Sequence, residues 1–177
     1  MLTVTRNQLT QIVLASILIL SWQSSLSQTQ DEAAVVAKNH ASAFLLGDYE
    51  AASKLTHPEV LAKFRQTTLS KFDTMRDTQG ERDLYSFLGV KDRAEAEAMP
   101  AGEFFKKLSD KARPPDTAYA TYKSAQLEVD NVQAFGTDSA AVWLIAKQPA
   151  GTSPPVARSI TLLRKHEGNW KVVANEK

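Results

Sequence analysis

The order of hydrophobic patterns predicts an α+β domain with N-terminal helices laid on one face of a curved antiparallel sheet, and a signal peptide ahead of it. Three observations carry this. Residues 31–75 carry apolar side chains at helical spacing, residues 122–174 alternate them at two, and the chain opens on a basic, apolar, then small-residue run. The 177 residues suffice for one domain and a processed segment, and the 43% hydrophobic and 23% charged shares are those of an ordinary packed protein.

Arg6 precedes the apolar stretch Ile12 to Leu20, interrupted only by Ser16, and small residues follow at Ser25 and Ser27. The stretch is half the roughly 20 residues needed to cross a bilayer. It therefore predicts a cleaved signal peptide over 1–27 rather than an anchor, with a single domain over 28–177, no stable membrane span after cleavage, and export to a periplasm or the exterior. Cleavage would leave 20 basic and 20 acidic residues. This balance gives no electrostatic drive toward nucleic acid. With no cysteine, the exported domain has neither disulfide nor thiol nucleophile and must be stable by packing alone.

The run Asp31 to Leu46 predicts an amphipathic helix through Val36, Ala37, Ala41, Phe44 and Leu45, stopped by Gly47. Asp48 is placed to cap a short second helix through YEAASKL. Thr56 and Glu59 have capping-box spacing, with Pro58 in the first turn, and predict a third helix striped by Leu61, Phe64, Leu69, Phe72 and Met75 and packed along the sheet. The polar run Asp77 to Arg82, with Gly80, is its expected end. Helices over Asp92 to Met99 and Gly102 to Ala112 are expected before the breaker Arg113-Pro114-Pro115-Asp116. Strands are predicted over Tyr122 to Ala134, Ala140 to Gln148, Val156 to Lys165 and Trp170 to Ala174. Alternation sets Val142, Leu144 and Ala146 against Ala141, Trp143 and Ile145, so both faces of that strand are apolar. Trp143 and Ile145 are the candidate interface of a homodimer formed through the sheet.

The corner AFLLGDYEAA, with Phe44, Gly47, Asp48 and Tyr49, and the closing hairpin SITLLRKHEGNWKVV, with Gly168, Trp170 and Val172, resemble the nuclear transport factor two-like superfamily. This α+β cone is shared by SnoaL-like polyketide cyclases, ketosteroid isomerases and scytalone dehydratase. The resemblance covers most of residues 31–177, and residues 80–117 exceed the minimal family pattern. It implies a cavity between helices and sheet, with His40, Phe44, Tyr49, Tyr122, Val142 and Leu144 as candidate ligand-binding residues.

His40 and Tyr49 are the catalytic candidates, because isomerase and dehydratase chemistry needs a histidine or carboxylate in the cavity and often a tyrosine facing an oxyanion. Tyr119, Tyr122, Glu128 and Asp130 complete that set, the two acids sharing a solvated strand face. His57 belongs to a helix start and His166 to a solvated turn. Lys106, Lys107, Lys111 and Arg113 read as a solvated helix face. No nucleophile elbow, phosphate loop or metal-ligand spacing occurs, so no cofactor and no metal are expected. The leading expectation is an exported non-catalytic domain that binds a small apolar ligand or a protein partner through the cavity or the sheet face. The alternatives are an acid–base isomerase, dehydratase or cyclase using His40 and a cavity tyrosine, and a dimeric assembly module.

Overall fold

A computed structural model describes residues 28–73, 78–113, 124–148 and 156–176. The architecture is α+β: helices α1 (28–46), α2 (Tyr49–Leu55), α3 (Pro58–Asp73), α4 (Gln79–Leu88), α5 (Arg93–Ala98) and α6 (Ala101–Lys111) precede strands β1 (Gln126–Phe135), β2 (Ser139–Lys147), β3 (Val156–His166) and β4 (Asn169–Glu176). The four strands form an antiparallel meander in the order β1-β2-β3-β4. Residues 1–27, with the expected signal peptide, lie outside the described residues. No described helix is long and apolar enough to cross a membrane.

The corner after α1 forms as its residues predict. Gly47 takes φ 69°, its N–H donates to the Phe44 carbonyl at 3.1 Å, and the Asp48 N–H donates to the Ala43 carbonyl at 2.8 Å, a Schellman closure. The Asp48 carboxylate then accepts from the Ala51 N–H at 2.9 Å and starts α2. The same closure ends α4: Gly89 has φ 69°, and the N–H groups of Gly89 and Val90 reach back to Ser86 and Tyr85.

Helix α4 occupies the polar run expected to end α3. Gly80 lies in its first turn, where a helix tolerates it, and the Thr78 hydroxyl accepts from the Glu81 N–H. Helix α3 is corrected too. Among the described residues it packs on α5 and α6 rather than along the sheet, and Glu59 in its first turn reaches Arg164 of β3. Its stripe of Leu61, Phe64, Leu69 and Phe72 has helices to face, and Met75 lies outside the described residues.

Two cores result. In the first, Ala33 and Ala37 of α1 are fully buried against Ala140, Val142 and Leu144 of β2, Leu163 of β3, and Trp170 and Val172 of β4. Alanines one helical turn apart let the helix sit directly on the sheet. In the second, Phe104 of α6 is fully buried among Leu69, Leu84, Leu88, Ala96 and Met99. Basic side chains from neighbouring helices hold carbonyls at the helix ends there. Lys107 Nζ donates to the Leu88 carbonyl at 2.7 Å, Arg93 to that of Leu69 at 3.2 Å, and Arg65 to that of Met99.

Trp170→Ala is expected to destabilise the fold by about 3 to 5 kcal/mol, because the ring is only 4% exposed within the first core. Gly89→Ala is expected to cost about 1 to 2 kcal/mol, from the left-handed backbone alone. Urea denaturation of both variants checks the two values; a near-neutral Trp170 variant is incompatible with this core.

Candidate functional site

The two cores meet where α1, α2 and the link into α3 converge, and most of the sequence-predicted site residues gather at this joint. His40 of α1 is 3% exposed and its ring lies 4.9 Å from that of Phe44. Phe44 stacks edge-on against Tyr49 of α2 and Phe105 of α6, each at 5.8 Å, and Phe105 meets Phe64 of α3 at 5.4 Å. A line of aromatic edges thus runs from the sheet-bound helix into the helical core.

Thr56 turns out not to cap α3. It ends α2, its hydroxyl donates to the Ala52 carbonyl at 2.9 Å, and its oxygen lies 3.1 Å from His40 Nε2. Since the hydroxyl proton is committed to Ala52, His40 Nε2 carries the proton it donates to Thr56. His40 Nδ1 is then a bare, buried nitrogen with no hydrogen-bond partner among the described residues. Burial lowers its pKa from 6.5 to about 4, so the ring is neutral at pH 7.

The start of α3 belongs instead to His57, which is 2% exposed. Its carbonyl accepts from Val60 and Leu61, and its Nδ1 accepts from the Glu59 N–H at 3.3 Å. Thr56 bridges to Val172 in parallel fashion, and the His57 N–H donates to the Val172 carbonyl at 2.8 Å. Residues 56–57 therefore form a two-residue strap along the outer edge of β4. Arg164 of β3 reaches over to His57 Nε2 at 3.2 Å and to the Glu59 carboxylate at 2.5 Å. His166 packs its ring edge-on to His57 at 5.0 Å, so it is less solvated than the turn position implied.

Among the described residues, the expected cavity-lining side chains do not gather in one layer. Val142 is fully buried and Leu144 is 2% exposed, both inside the core that α1 closes. His40 and Tyr49 are buried at the joint, and Phe44 is 37% exposed at its rim. The structure brings these three together and sets Val142 and Leu144 in another layer. Tyr119 and Tyr122 lie outside the described residues. Glu128 and Asp130 do not share a regular strand face, because a bulge falls between Val129 and Asn131; Glu128 instead pairs with Lys147 at 2.6 Å.

Trp143 and Ile145 stand on the sheet face turned away from α1. Trp143 lies between Asn131 and Ile160 in the ladder, and Ile145 between Glu128 and Arg158. The basic cluster on α6 is neutralised and packed: Lys106 pairs with Asp110 at 2.9 Å, Lys107 with Glu103 at 3.2 Å, and Lys111 lies over the Phe87 ring. No group of three or more histidines, aspartates and glutamates placed to hold a metal ion occurs among the described residues. Sequence reading missed the strap. Its one local signal was a threonine and a histidine, both hydrogen-bonding types, between two short helices.

No protein-family model matches the chain, and no curated protein matches it. Among solved structures it is similar to a SEC-C motif containing protein from Rhodopseudomonas palustris, determined in solution, at 17% identity and a TM-score of 0.27 over 53% of this chain and 65% of that one. A likeness at that level carries no argument, so the chemistry of the joint rests on its own residues. Those residues give a direct expectation. Thr56→Val should destabilise by about 1 to 3 kcal/mol, since it leaves both His40 nitrogens buried without a partner. Thr56→Ser should retain most of the stability in the same urea titration.

Proposed function

We propose that the chain is an exported, non-catalytic interaction domain that pairs with a second copy of itself through the sheet face opposite α1. The observation that carries this reading is the chemistry of that face. Trp143, Ile145, Ile160, Leu162 and Val173 lie half-buried there, and Phe135 at its end is 53% exposed. Among the described residues, none of the helices α2 to α6 lies along β1 or β2. A groove of about 430 Å³ bounded by Val60, Phe135, Leu162 and Val173 runs along one end of the face, with Glu59 and Arg164 at its margin.

A second copy suits this face better than a partner of one charge. Each end of the apolar strip carries both signs, Glu59 with Arg164 at one and Glu128 with Lys147 and Arg158 at the other. A twofold contact brings such a mixed rim against itself without a net excess of like charge. The whole chain carries a net charge of only +1, so long-range self-repulsion is weak. A stable contact of this kind buries about 800 Å² on each partner.

Export under the direction of residues 1–27 belongs to the same reading, on the strength of the Arg6 and Ile12 to Leu20 pattern. So does a nuclear transport factor two-like layout, supported by the Gly47–Asp48 corner and the β3–β4 hairpin. The acid–base alternative draws no support from His40, whose protonated nitrogen is spent on Thr56 and whose other nitrogen faces no acid or tyrosine hydroxyl among the described residues. Sedimentation at tens of micromolar should show a dimer. Phe135→Glu should weaken it by about tenfold or more while leaving the melting temperature near that of the parent. A parent chain that sediments as a monomer, or a variant that dimerises unchanged, removes this reading.

A further inference from the structure

Two buried histidines grip the strap from opposite sides. His40 holds Thr56 from α1, and His57 is itself the second strap residue, hydrogen-bonded to β4 through its backbone and to α3 through its ring. Neither ring has room for a second proton. At His40 a proton on Nδ1 would be a buried charge with no acceptor and no acid facing it. Its surroundings are Phe44 on its own helix and Thr56 on the strap.

At His57 both nitrogens already face N–H donors, the Glu59 amide at Nδ1 and the Arg164 guanidinium at Nε2. A neutral imidazole offers one acceptor, so one of these contacts is compromised even at neutral pH, and in the imidazolium both become donor against donor. The groups around this ring are Arg164 and His166 of β3, Lys171 of β4 and Glu59 of α3. Only Glu59 favours the proton. Its carboxylate stands 3.8 Å from Nδ1 but is drawn to Arg164 at 2.5 Å.

We propose that the strap is an acid-operated latch: protonation of His40 and His57 releases residues 56–57 from β4 and lets the α1–sheet half and the α3–α6 half separate locally while each keeps its own core. The sign follows from the environments. Burial lowers the pKa of both rings, and Arg164 adds to the effect at His57. A histidine held neutral in the closed form contributes its full share of closure above about pH 6.5, and that share is lost as the pH falls toward the closed-form value. For His40, with 6.5 open and about 4 closed, the opening equilibrium rises about 30-fold between pH 7.5 and pH 5. The two cores contain no histidine, and the third histidine of the chain, His166, packs on His57 at the strap itself.

Hydrogen exchange of the full chain at pH 7.5 and pH 5, corrected for the intrinsic pH dependence of exchange, tests this. Exchange at residues 54–60 and 170–174 should accelerate by about tenfold or more at the lower pH, with the amides around Phe104 and Leu88 still protected. The double variant His40→Gln, His57→Asn keeps a donor toward Thr56 and an acceptor toward the Glu59 amide, and its strap should lose the pH response. If that variant does not fold, Arg164→Met serves instead. Without the guanidinium His57 is easier to protonate in the closed form, and the response should shrink. Unchanged strap exchange between the two pH values, exchange that rises equally in both cores, or a pH response that persists in the variant would overturn the latch.

Discussion

A two-residue edge pairing holds this molecule together. Thr56 and His57 leave α2, run beside Val172 and enter α3, so a single short segment ends one helix, begins the next and occupies the free side of β4. Its side chains face different halves of the protein. The Thr56 hydroxyl is shared between the last turn of α2 and His40 on the sheet-bound helix, whereas the His57 ring is shared between the first turn of α3 and Arg164 on the sheet. Removing either set leaves buried polar atoms unpaired, and the cost of such atoms is what gives a small contact its leverage.

That pairing explains why the described residues form two separate hydrophobic cores. With the strap fixed at the β4 edge, α3 is directed away from the sheet and finds α5 and α6. Among the described helices, α1 covers the strands, and its alanines do so at close range. A ligand chamber between helices and sheet needs larger separations than alanine contacts allow. Val142 and Leu144, expected to line it, are spent on packing, whereas the opposite face of the sheet leaves Phe135 exposed. At the joint, the aromatic line through Phe44 and Phe105 couples the halves.

Much of the scaffold was legible because its signals are local. The Gly47–Asp48 corner, the helix beginning at Asp92, the four strands and the separation of Val142 and Leu144 from Trp143 and Ile145 each depend on residues within one turn or one ladder rung. Helix α4 was hidden by a conflict of local signals. Gly80 among charges reads as a breaker, yet Thr78, three residues before Glu81, is a start and Gly89 a stop, and the stripe of Leu84 and Leu88 supplies the buried face. The Thr56–Glu59 spacing misled for a different reason. A cap uses the threonine oxygen as an acceptor, and here that oxygen accepts from His40, 16 residues away, while its proton goes to the preceding turn rather than the oxygen serving the following helix.

The sequence by itself determined the α+β order, the helix corners, the strand faces and the even charge, since each follows from backbone preference or from the period at which apolar side chains recur. Only the tertiary structure decided which layer each helix covers, that the buried residues divide into two cores, and that His40 and His57 meet at one strap. Those outcomes turn on which groups meet across 16 and 107 residues of chain, and the choice of a buried polar partner is governed by desolvation in the assembled interior rather than by any neighbour in sequence.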